Sequence, residues 1–64
     1  MQIRLTQREE EVKVQVIKGL SNQQIASELN LSINTIKTHV AKILHKRGCR
    51  NRIELITKNY QNEY

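Results

Sequence analysis

The chain is 64 residues long and carries eleven Lys and Arg against six Asp and Glu, a formal net charge of +5. That length holds one domain, 1–64, whose small core benefits from dimerisation, and it is short for an enzyme. The basic balance points to a polyanion, nucleic acid ahead of an anionic membrane, and an aromatic content of 3%, from Tyr60 and Tyr64, gives few stacking platforms, which favours duplex DNA over single-stranded RNA.

The first helix is expected over 7–18. Thr6 and Glu9 form a capping-box pair, in which the hydroxyl takes one free backbone N–H and the carboxylate returns to another. Glu9, Glu10 and Glu11 suit the positive end of the helix dipole and Lys18 the negative end, while Gly19 fits a left-handed stop. Val12, Val16 and Leu20, with Ile17 beside them and Leu5 ahead of the cap, make one apolar stripe. Val14 falls on the far side, as a scattered surface residue or a partner contact.

Ser21 and Gln24 repeat the capping box for a short helix over 22–29, whose buried face is Ile25, Ala26 and Leu29. Asn30 takes a left-handed turn at low cost, and Leu31 points back to the core. Ser32 then caps a helix over 33–47, ended by Gly48. Ile33, Ile36, Val40, Ile43 and Leu44 gather on one face; Asn34, Thr38, Ala41, Lys42 and His45 gather on the other. Asn51 with Glu54 opens a fourth helix over 52–60, with Ile53, Leu55, Ile56 and Tyr60 as its apolar residues. No segment alternates like a strand, so the expected fold is all-α, a four-helix bundle.

A short helix, a tight turn and a longer helix are the unit that lays a recognition helix, here 33–47, in the major groove of DNA. On the second of these helices Asn34, Thr38 and Ala41 share the outward sector. Thr35, Lys42 and Lys46 flank it and are expected at phosphates, with His45 touching the backbone. Ser21, Asn22 and Gln23 join them, because free N–H groups and the dipole at a helix start attract an anion.

Other chemistry is not indicated. His39 and His45 are six residues apart and point about 120° from each other round a helix, which makes no metal site. Cys49 is the only cysteine, so it forms no internal disulfide; it reads as a small, partly buried apolar residue, with an intermolecular redox switch as the alternative. No catalytic residue and no cofactor are expected, since there is no nucleophile with a base and no phosphate-cradling glycine loop. No apolar run nears the roughly 18 to 20 residues of a membrane span, and the start lacks a signal-peptide core, so a cytoplasmic protein with no membrane partner is expected.

Leu5, Thr6, Arg8, Glu9, Glu11 and Val12, the run GLSNQQIA from Gly19, then Ser32, Thr35, Ile36, Lys37 and His39, together resemble the LuxR-type (GerE-type) DNA-binding domain. The similarity continues through Ile43, Lys46, Gly48, Asn51 and Arg52, covering the chain from Leu5 to about Ile56. The resemblance implies a transcription regulator that binds duplex DNA as a homodimer on an inverted repeat. It places Lys37 and Thr38 at base edges, with Asn34 and Ala41 beside them, and the dimer contact on the fourth helix, where Leu55, Ile56 and Tyr60 are the candidates. It leaves open whether the chain is a single-domain member or a C-terminal domain with an upstream regulatory domain; RNA polymerase is a candidate partner if the chain acts as a protein-interaction domain. Lys13, Ala41, Arg47 and Cys49 depart from the family pattern. Lys13 stands at a usually apolar position, moving the packing of the first helix onto Val12, Val16 and Ile17. Arg47 replaces an apolar residue near the core, its stem snorkelling toward solvent, a carboxylate or DNA. Two other readings remain: a nonspecific nucleic-acid-binding module, and a protein-interaction domain that keeps the fold.

Overall fold

The computed structural model describes residues 3–61; Tyr64 lies outside them. Four helices follow one another: α1 (Gln7–Ile17), α2 (Asn22–Leu29), α3 (Ile33–Arg47) and α4 (Arg52–Gln61), with no strand among the described residues. The all-α expectation holds. α1 stops one residue before the expected end, with Lys18 as its cap, and α4 runs one residue further than expected.

Short-range hydrogen bonds set the helix ends. The Thr6 N–H donates to Glu9 Oε1 at 2.8 Å and the Glu9 N–H returns to Thr6 Oγ1 at 3.1 Å; Ser21 and Gln24 repeat the pair at 2.8 and 3.1 Å. At the other ends the chain turns through left-handed residues, Gly19 (φ 92°), Asn30 (φ 56°) and Gly48 (φ 66°). After each, the next N–H reaches back five residues: Leu20 to Gln15 at 3.1 Å, Leu31 to Ala26 at 2.9 Å and Cys49 to Leu44 at 2.8 Å. This is the Schellman closure, which folds an apolar residue back onto the bundle while satisfying helix-end carbonyls. Leu20, Leu31 and Cys49 all pack against the core as a result.

Val12, Val16, Ile25, Ala26, Ile36, Val40, Ile43 and Leu55 form that core. α1 and α3 each pack against all three other helices, while the backbones of α2 and α4 do not approach each other closely. The recognition candidate, α3, is therefore held from three sides. Two apolar expectations fail. Ile33 is exposed because it stands at the first position of α3, at the margin of the buried stripe. Ile53 is 75% exposed, because α4 turns Leu55 and not Ile53 to the core.

Candidate nucleic-acid interface

The outer face of α3 is built by its cap and its inner stripe. Ser32 Oγ accepts the Thr35 N–H at 3.1 Å and lies 2.8 Å from Thr35 Oγ1, starting the helix in a fixed phase. With Ile36, Val40 and Ile43 buried, Asn34, Lys37, Thr38, Ala41, Lys42 and His45 are all left exposed. Thr38 donates its hydroxyl to the Asn34 carbonyl at 3.1 Å, so its donor is spent on the helix and its methyl and lone pairs remain for an incoming surface.

The ion pairs among the described residues all use carboxylates of α1. Arg8 pairs with Glu11 at 3.2 Å, Lys13 with Glu10 at 3.5 Å, Arg47 with Glu10 at 3.5 Å and Lys46 with Glu9 at 2.7 Å. Lys37 and Lys42 pair with no carboxylate among the described residues, and α3 itself contains no acidic residue. Two cations without a carboxylate partner, Lys37 and Lys42, therefore share the face that carries Asn34, Thr38 and Ala41.

Lys46 does not sit with them. Its ammonium meets Glu9 Oε1, and the Glu9 side chain is 3% exposed, so this cation closes the α1–α3 seam instead of facing outward to a phosphate. Hydrogen bonds from Lys46 and from the Thr6 backbone hold the Glu9 carboxyl below its ordinary value, against the opposing effect of burial. Thr35 is half-buried and engaged with Ser32, which turns it toward the cap more than toward a ligand.

At the start of α2, Ser21 and Gln23 are exposed and Asn22 is half-buried. Arg52 reaches across from α4: Nη2 donates to the Leu20 carbonyl at 2.8 Å and Nη1 donates to Asn22 Oδ1. A cation at a helix start opposes the dipole, and this tether supplies its reason. Sequence reasoning misses Glu9 as a buried partner, and for Arg52 it supplies an intrachain partner in general but not the Leu20 carbonyl and Asn22 as its acceptors. Only the ill-placed charge of Arg52 hinted at either.

His39 is half-buried, with Nδ1 enclosed and unpartnered among the described residues. On α4 the dimer candidates separate. Leu55 is 4% exposed and consumed by the core, and Ile56 is half-buried against it. Tyr60 stands out at 63%, and Ile53 joins it on the outer side. Leu55 is thus corrected from an interface residue to a core residue.

The family model for bacterial regulatory proteins, luxR family, matches residues 4–58. Response regulator protein VraR of Staphylococcus aureus (strain Mu3) is 42% identical over 57 residues, covering 89% of this chain and 27% of the relative. Proteins of the same name from Staphylococcus saprophyticus and Staphylococcus epidermidis match at the same 42%, again over 89% of this chain and 27% of each relative. The chain spans about a quarter of the length of the curated relatives it matches. The matched family is one of regulators and not of enzymes, and its helix-turn-helix is a DNA-binding element. The chain belongs to the luxR family of bacterial regulatory proteins.

Proposed function

We propose that the chain binds double-stranded DNA sequence-specifically as a transcriptional regulator, with α3 in the major groove. The observation that carries this reading is the exposed face of α3: Lys37 and Lys42 stand there with no carboxylate partner among the described residues, beside Asn34, Thr38 and Ala41, on a helix with no acidic residue. Lys37 and Thr38 read base edges, an ammonium on guanine O6 or N7 and a methyl against the thymine methyl. Asn34 and Ala41 line the same sector. Ser21, Asn22, Gln23, Lys42 and His45 meet phosphates and fix the register, with Thr35 at their margin.

The active form is a homodimer on an inverted repeat, its recognition helices one DNA turn, about 34 Å, apart. Exposed Ile53 and Tyr60, with the rim of Ile56, offer the self-complementary stripe. Control by a regulatory segment accords with the name of the response-regulator relatives, and a chromosomal target accords with a cytoplasmic protein. No described helix is long and apolar enough to cross a membrane.

Selection of binding sites from random duplexes tests the reading. Recovery of a two-fold repeated half-site is expected. Enrichment of no sequence over random duplex, where specific binders gain about 10³-fold or more, leaves the nonspecific module as the answer.

A further inference from the structure

A groove of about 410 Å³ runs between the ends of α1, α3 and α4, lined by Lys13, Ile17, Arg47, Cys49, Leu55 and Lys58 among others. Ile17, Cys49 and Leu55 supply apolar wall, all three belonging to or packed against the core or half-buried beside it. Lys13, Arg47 and Lys58 supply positive charge along it. Lys13 and Arg47 each lie 3.5 Å from a Glu10 carboxylate oxygen, so two cations from different helices already converge on a single carboxylate. Lys58 donates to the Gly48 carbonyl at 3.1 Å and has no carboxylate partner among the described residues. Three cations to one anion leave the groove positively charged over an apolar wall.

Its position separates it from both surfaces proposed above. At 100° per residue, Arg47 leaves α3 about 180° from Thr38, and it stands ten residues, about 15 Å along the helix, beyond Lys37, so it lies apart from the proposed base-reading sector. On α4, Leu55 and Lys58 stand at least about 140° round the helix from Ile53 and Tyr60, so the dimer stripe also faces elsewhere. Unlike the apolar stripe of Ile53 and Tyr60, this groove is itself positively charged, which makes it a poor seat for a second copy carrying +5.

We infer that this groove docks an acidic amphipathic helix of a partner protein, leucine-like side chains over Ile17, Cys49 and Leu55 and carboxylates on Lys13, Arg47 and Lys58. Helix-in-groove recognition needs this combination of apolar wall and charge-matched rim. The partner engages while DNA is bound, which suits a protein that joins the regulator at its site.

Cys49, the only thiol of the chain, reports on occupancy. The chain is alkylated with neutral iodoacetamide in the presence of a synthetic helical peptide with leucine on one face and glutamate on its flanks. Its lysine-flanked counterpart is the control. Expected is a saturable, several-fold slowing by the glutamate peptide alone, equal with and without bound duplex. The slowing is lost in a Lys13→Gln, Lys58→Glu variant whose helical circular dichroism is retained; Lys58→Glu alone substitutes if the double variant does not fold. Four results overturn the inference: no slowing up to about 1 mM peptide, the weak end of specific affinity; equal slowing by both peptides; slowing by duplex alone; or slowing by raised protein concentration alone, which assigns the groove to self-association. Because the readout is alkylation and not DNA affinity, its failure leaves the DNA-binding reading intact.

Discussion

Glu9 Oε1 accepts both the Thr6 N–H at 2.8 Å and the Lys46 ammonium at 2.7 Å, so one oxygen of a buried carboxylate caps α1 and clamps it to α3. Capping alone needs an acidic or amide side chain at this position. The clamp needs the charge. Acid sensitivity follows: a carboxyl held below its ordinary 4.5 in the folded chain stabilises the fold above that value, and the contribution drains away as pH falls through the lowered folded value. Thermal melts from pH 6 to pH 2 should show the melting temperature dropping below about pH 4.5. Glu9→Gln keeps the cap, melts lower at pH 6 and shows a shallower drop; a drop as steep as that of the parent places the acid sensitivity in other carboxylates.

Lys37→Ala and Thr38→Ala, singly and together, should weaken binding to a selected duplex by about 1 to 3 kcal/mol per lost base contact. Random-duplex binding changes far less. Fluorescence anisotropy on both duplexes distinguishes this from uniform weakening, which would reassign both residues to phosphates.

Lys42→Ala, in contrast, is expected to weaken both duplexes alike and to lower the slope of log K against log salt by about 1. A change confined to the selected duplex would move Lys42 to the base-reading set.

Arg52 carries a link between α4 and the start of α2, two helices whose backbones do not pack together. Arg52→Met removes two charge-assisted donors and leaves the Leu20 carbonyl and Asn22 amide oxygen to water. Chemical denaturation should register a loss of about 1.5 to 3 kcal/mol. A lysine there recovers only part of it, since a point charge does not fork onto two acceptors. Parent-like stability in Arg52→Met would show that the tether is idle.

The exposed stripe on α4 predicts that Ile53→Asp with Tyr60→Ser leaves the monomer fold intact and abolishes dimers on DNA. Sedimentation velocity with a two-half-site duplex reads this directly. Two copies bound at unchanged cooperativity would exclude α4 as the contact.

What the sequence revealed depended on the range over which each signal acts. Helix starts at Gln7, Asn22 and Ile33 are legible because Thr6, Ser21 and Ser32 act through bonds three residues long, and the stops at Gly19, Asn30 and Gly48 are equally local. The α3 outer face is legible because fifteen residues hold a clear period with three wholly inward positions, Ile36, Val40 and Ile43. Lys46 was misplaced since its partner lies 37 residues away, and nothing in the neighbourhood of either residue announces the other. Ten-residue α4 carries two overlapping apolar stripes, Leu55 with Ile56 and Ile53 with Tyr60. Periodicity cannot choose between them; packing on α1 chose the first.

The pairing of Arg8, Lys13, Lys46 and Arg47 with carboxylates also changes what the net charge means. Counterions leave a duplex only for cations that reach its phosphates, and these four are turned toward the protein's own acids. A heparin column or a salt titration will therefore behave as if the chain were a weaker base than its eleven Lys and Arg suggest. Under the proposed function, a modest electrostatic grip would let the chain leave wrong sites quickly and would put discrimination on the few side chains that touch the bases.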